Sequence, residues 1–83
     1  MRVQLELYAS LMKHLPAGAE RHKVRVEVPK TITAHGLLDR FGVPREQAHL
    51  VMRNGVFVQP AERDTARLAD GDVIAVWPPV AGG

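Results

Sequence analysis

Apolar and polar residues alternate at two places early in the chain. Val3, Leu5 and Leu7 are spaced by Gln4 and Glu6 and followed by Tyr8; Val24, Val26 and Val28 are spaced by Arg25 and Glu27. A period of two is that of a half-buried strand, so residues 3–8 and 23–28 are predicted as strands with these leucines and valines facing the core. Between them, residues 9–15 predict a turn or two of helix, with Ser10 as N-cap and Pro16 as the stop, and residues 17–20 a loop. The period then changes. Ala34, Leu37, Leu38 and Phe41 fall at i, i+3, i+4 and i+7, one apolar stripe of a helix capped by Thr33, with Gly42 at C′ and Pro44 blocking continuation. Gly36 sits inside that helix at a cost of about 1 kcal/mol relative to Ala, which a close approach of helix to sheet would explain.

Leu50-Val51-Met52-Arg53 is predicted as the third strand, and Asn54-Gly55, both tolerant of positive φ, as a hairpin turn into Val56-Phe57-Val58, closed by Pro60. Residues 61–69 are polar and irregular, with Leu68 as their anchor in the core, and Asp70-Gly71-Asp72 is a turn. The last strand, Val73-Ile74-Ala75-Val76-Trp77, is apolar on both faces, which suits a central strand or a contact surface. The order strand, strand, helix, strand, strand, strand leaves one helix to cover one face of one sheet, an α+β roll over residues 1–77.

The C-terminal residues 78–83, Pro78-Pro79-Val80-Ala81-Gly82-Gly83, have the pattern of neither strand nor helix and predict an extended tail. The prolines have fixed φ and no N–H, so they leave the sheet along a polyproline-II path. Glycines lack a Cβ and pass where no side chain fits. Six residues reach about 20 Å. A stiff stalk, a thin tip and a carboxylate at Gly83 suit delivery of that carboxylate into another protein's active site. The competing reading of Gly82-Gly83 is a frayed terminus or an expression scar.

Composition narrows the field. The chain has 83 residues, a net charge of +2, 46% hydrophobic residues and no cysteine, so no side-chain thiol chemistry is available. The basic residues are scattered, and one Trp and one Tyr make no stacking platform, which argues against nucleic-acid binding. Charged, alternating residues at the N-terminus do not make a signal peptide, and a cytoplasmic location is expected. His14, His22, His35 and His49 lack ligand-like spacing, Ser10 lacks a nucleophile elbow, and Gly71 belongs to a turn, so neither a metal site nor an active site within the chain is expected.

The Asn54-Gly55 hairpin, Leu68 before Asp70-Gly71-Asp72, and Val76-Trp77-Pro78-Pro79-Val80-Ala81-Gly82-Gly83 together resemble the ubiquitin-like sulfur carriers of the MoaD/ThiS family. Thr33 with Leu37-Leu38 and Gly42-Val43-Pro44 is similar to that family's helix and its exit. The resemblance implies a β-grasp fold, with a mixed sheet of about five strands on one main helix. It implies a carrier with no bound cofactor. An activating enzyme resembling ubiquitin-activating enzymes would use ATP to adenylate the Gly83 carboxylate, and sulfur would replace an oxygen to give a thiocarboxylate. Gly83 would be the acyl carrier, Gly82 its steric partner and Pro78, Pro79, Val80 and Ala81 the stalk. The Pro78-Pro79-Val80 run resembles MoaD, the small subunit of molybdopterin synthase, more than the thiamin carrier ThiS, which would make the large subunit of that synthase a partner. Two other readings stand beside this one: a modifier joined to protein lysines, and an interaction domain with an incidental Gly-Gly.

Trp77 has two readings as well. It is core if it packs with Val73 and Ala75 against the helix, and contact if those three face away and Ile74 and Val76 face in. The branched pair favours the second. Trp77 is then expected to be partly exposed and to form a docking patch with Phe57 or Met52 near the tail.

Overall fold

The computed structural model describes residues 1–80. Ala81, Gly82 and Gly83, to which the thin tip and the acyl carrier are assigned, lie outside the described residues. The five strands are β1 (Arg2–Leu7), β2 (Lys23–Glu27), β3 (Leu50–Arg53), β4 (Val56–Phe57) and β5 (Val73–Trp77), and the helix is α1 (Ala34–Arg40). They form one sheet in the order β2-β1-β5-β3-β4. β1 and β5 run parallel and the other neighbours antiparallel, so the sheet is mixed. This is the expected β-grasp roll.

β5 is central, flanked by β1 and β3, which accounts for its unbroken apolar sequence. Its Ile74 and Val76 point to the same side as Leu5 and Leu7 of β1 and Val51 of β3, and all are buried with Leu37 and Leu38 of α1. The core therefore lies between α1 and one face of the sheet. β2 is an edge strand. Its valines face the core as expected, but only Val28, just beyond the strand, is fully buried; Val24 and Val26 pack against the core half-buried, because an edge strand has a neighbour on one side alone.

α1 begins as expected. Thr33 is extended, and its Oγ1 accepts the Gly36 N–H at 3.1 Å. Gly42, at φ +71°, reverses the chain after the helix. A Cβ on Gly36 would lie 3.2 Å from Thr33 Oγ1 and 3.3 Å from Ile32 Cγ1. The tight neighbour is thus the chain entering the helix and not the sheet.

The early helical stretch is a 3-10 helix over Ala9–His14, and its cap is not Ser10. Tyr8 occupies the N-cap position without a side-chain bond, and Ala9 takes a positive φ of 51°. The chain turns there because Tyr8 is held by the sheet, its N–H donating to Val76 O at 3.1 Å. Further 3-10 helices span Arg45–Gln47 and Pro60–Glu62, the latter running into the start of the stretch predicted as irregular. Leu68 is buried there as expected. Among the described residues no helix is long and apolar enough to cross a membrane.

Candidate functional site

The sheet face opposite α1 is uncovered. Register assigns its occupants: Gln4, Glu6 and Tyr8 on and just after β1, Val73, Ala75 and Trp77 on β5, Leu50 and Met52 on β3, and Phe57 on β4. Its β5–β3–β4 half is apolar. Trp77 is half-buried and turned away from the helix, as the branched pair Ile74 and Val76 suggested. Met52 stands opposite Phe57 and beside Ala75, so Trp77, Met52 and Phe57 share one face. Phe57 is 42% exposed and Met52 half-buried. Large aromatic and sulfur-bearing side chains left at least partly exposed together are the composition of a contact surface.

Trp77 does not stand alone. Its indole stacks on the Tyr8 ring, centroids 4.3 Å apart and planes 5° from parallel, and His22 lies on Tyr8 at 4.6 Å. The Tyr8 hydroxyl donates to Glu6 Oε1 at 2.8 Å, and Gln4 Nε2 donates to Glu6 Oε2 at 2.7 Å. Burial raises the Tyr8 pKa from its ordinary value, and the bond to the Glu6 carboxylate adds to the rise. A neutral phenol anchored by a carboxylate thus holds the indole flat against its own ring. No local signal in the sequence singles out Tyr8 as a site residue. The parallel alignment of β1 with β5 that brings it beside Trp77 is a long-range pairing.

The chain leaves the sheet at this same corner. The Trp77 carbonyl accepts the His49 N–H at 3.1 Å, the last ladder bond on that side. Beyond it Pro78 is half-buried, and Pro79 and Val80 are exposed, Val80 by 78%. Neither proline can donate a hydrogen bond, so the ladder cannot continue through them. The apolar face and the start of residues 78–83 are therefore contiguous.

At the opposite end of β5 the turn before the strand is locked. Asp72 is buried, and its carboxylate accepts from Arg53 Nε at 2.8 Å, Asn54 Nδ2 at 2.8 Å and the Ala69 N–H at 2.7 Å. Burial alone would raise its pKa, but these donors outweigh it and hold the carboxyl below its ordinary value. Asn54 Oδ1 also accepts the Val73 N–H at 2.8 Å. Asn54 and Gly55, at φ +52° and +81°, thus fix both the hairpin and the start of β5. Among the described residues no group of three or more His, Cys, Asp or Glu side chains is placed to hold a metal ion.

Comparison with known proteins agrees with this geometry. The sequence matches the family model of the ThiS family over residues 6–83. Comparison with curated protein sequences gives no significant match. Among solved structures, small archaeal modifier protein 1 of Haloferax volcanii is 27% identical with a TM-score of 0.64, over 95% of this chain and 98% of that one. The Haloferax volcanii HVO 2177 protein is 24% identical, TM-score 0.76, over 100% of this chain and 87% of that one. The complex of subunits 1 and 2 of the Helicobacter pylori molybdopterin-converting factor contains a chain that shares the fold at 19% identity and a TM-score of 0.57, over 100% of both chains. With a family match across nearly its whole length and a mixed five-stranded sheet on one main helix, the chain belongs to the ThiS family of ubiquitin-like sulfur carriers, small proteins without an active site of their own.

Proposed function

We propose that the protein carries sulfur as a thiocarboxylate on Gly83. The observation that carries this reading is the family match, which extends through the tail to Gly83 itself. In the first step a carboxylate oxygen of Gly83 attacks the α-phosphorus of ATP, giving an acyl-adenylate and releasing pyrophosphate. A hydrosulfide-level sulfur nucleophile then adds to the acyl carbon and AMP leaves, so one oxygen is replaced by sulfur. The carboxylate alone is a poor electrophile, and AMP supplies the leaving group. No cysteine exists in the chain, so the terminus is the one place for covalent sulfur.

The activating enzyme, in this reading, grips the apolar face at Trp77, Met52 and Phe57 and receives the tail that starts beside it, with Gly82 and Gly83 passing into its active site and 78–81 as the spacer. Cofactor biosynthesis consumes the sulfur. The Pro78-Pro79-Val80 run is the ground for placing this chain with the molybdopterin branch, and the Helicobacter pylori complex gives a precedent for a β-grasp chain held by a partner subunit. Thiamin-type delivery is the alternative pathway.

A chain lacking Gly83 tests the mechanism. It should fold normally and give no ATP–pyrophosphate exchange with an activating enzyme that acts on the full chain; undiminished exchange would rule the mechanism out. A second reading is favoured by the likeness to small archaeal modifier protein 1: conjugation of Gly83 to protein lysines after the same activation. Immunoblots separate the two, since conjugation requires a ladder of heavier species and a carrier alone gives a single band.

A further inference from the structure

Arg63 is 5% exposed, and its guanidinium has no carboxylate partner among the ion pairs of the described residues. Burial lowers its pKa from the ordinary value, yet an arginine stays charged inside a protein. A buried charge is expensive unless its donors are used. Here they go to backbone carbonyls: Nε donates to Val58 O at 3.0 Å and Nη1 to Ala48 O at 2.9 Å, with Nη2 3.5 Å from His49 O. The guanidinium carbon also lies 5.6 Å from the centre of the Phe57 ring, within cation–π range. A side chain meant only to fill space there would be apolar.

The groups that Arg63 joins are informative. Phe57 is the outer margin of the open face, and Val58, the next residue, is buried in the core and bonded to Val51. Ala48 and His49 are the connection into β3, and the His49 N–H holds the Trp77 carbonyl, the point where the tail leaves the sheet. Arg63 therefore binds both ends of one dimension, from the patch at Phe57 to the root of the tail at Trp77. Only a planar fork with separate donors can hold two carbonyls and cover a ring at once; a lysine has one ammonium centre.

We propose that Arg63 is a positioning residue that fixes the distance between the Phe57 side of the docking face and the root of the tail. A partner that grips the face then finds the tail in one place. The consequence for the partner rests on the carrier reading, whereas the coupling itself is measurable in the isolated protein.

The test is Arg63→Lys, with Trp77 as the one tryptophan reporter. In a variant that still unfolds cooperatively, Trp77 emission and the Phe57 ring signals in NMR should both shift. With the activating enzyme, kcat should fall about tenfold while KM stays within about twofold, because the face still binds and the tail is misplaced. A merely structural loss would lower the folded fraction and raise the apparent KM instead. If Arg63→Lys does not fold, the exposed partner decides: Phe57→Leu should fold and shift the Arg63 Nε–H resonance. Unchanged Trp77 and Phe57 signals in folded Arg63→Lys, or an unmoved Nε–H in Phe57→Leu, would overturn the proposal. An activating enzyme inactive on the unaltered chain would count against the carrier reading and leave these spectroscopic outcomes decisive.

Discussion

The indole of Trp77 lies flat on the ring of Tyr8, 4.3 Å away, although 69 positions separate them in sequence (77 − 8). The parallel pairing of β1 with β5, in which Leu7 stands opposite Val76, brings the two together. Tyr8 is held in turn by Glu6. The side chain at the root of the tail thus has its orientation set by the first strand.

Replacing Tyr8 by Leu should remove the stack and cost about 1 kcal/mol, within the range for aromatic pairs. Native-state Trp77 emission should change, and the urea midpoint followed by that emission should fall. Tyr8→Phe keeps the ring, so it should retain most of the native emission and lose only the Glu6 bond. Identical emission in Tyr8→Leu and the unaltered chain would show that the stack does not hold the indole.

Asp72 provides a stability term whose pH dependence has a definite sign. Its carboxyl is held below its ordinary value in the folded state. Between the folded and unfolded pKa values the unfolded chain binds more protons, so stability rises with pH there. The contribution is complete above about pH 5 and is lost as pH falls through about 4 and below. Asp72→Asn should lower unfolding free energy at neutral pH by about 1–3 kcal/mol, since Arg53 is left without its counter-charge and Ala69 with a weaker acceptor. The difference between the unaltered chain and the variant in urea titrations should shrink toward zero on acidification. A constant difference from pH 7 to about pH 3 would contradict the assignment.

Gly36→Ala separates helix propensity from local crowding. Propensity alone favours Ala by about 1 kcal/mol. The new Cβ, however, meets Thr33 Oγ1 at 3.2 Å and Ile32 Cγ1 at 3.3 Å. Thr33 is tied by its capping bond and Ile32 is buried, so neither yields freely. The crowding should cancel or slightly exceed the propensity gain, with a net loss below about 1 kcal/mol by thermal denaturation. A gain approaching the full propensity difference would show that the cap relaxes without cost.

Elements are legible in the sequence where their signals are local. The alternation around Leu5, the stripe Ala34-Leu37-Leu38, the Thr33 cap and the Asn54-Gly55 turn each lie within a few residues of what they specify. Even the outward aim of Trp77 is readable from its position on the face opposite Ile74 and Val76. Features that depend on pairing between distant segments are not legible in this way. Val24 and Val26 are only half-buried because β2 falls at an edge, and strand order is not written in alternation. Ser10 is a good capping residue, but Tyr8 is already committed to the sheet through Val76, which moves the start of the 3-10 helix ahead of it. In sequence Arg63 is one more charge in a polar stretch, and its burial depends on three carbonyls that converge only in the folded chain.

Sulfur loading on Gly83 is the central claim, and intact mass tests it most directly. The full chain is incubated with ATP, a sulfide source and an activating enzyme from the same cell, and its mass and C-terminal peptide are measured. The expected result is a gain equal to replacing one oxygen by sulfur, confined to the peptide that ends in Gly83 and dependent on ATP. An unchanged mass, with an enzyme shown to load another carrier under the same conditions and with no other activating enzyme of that cell modifying the chain, would contradict it.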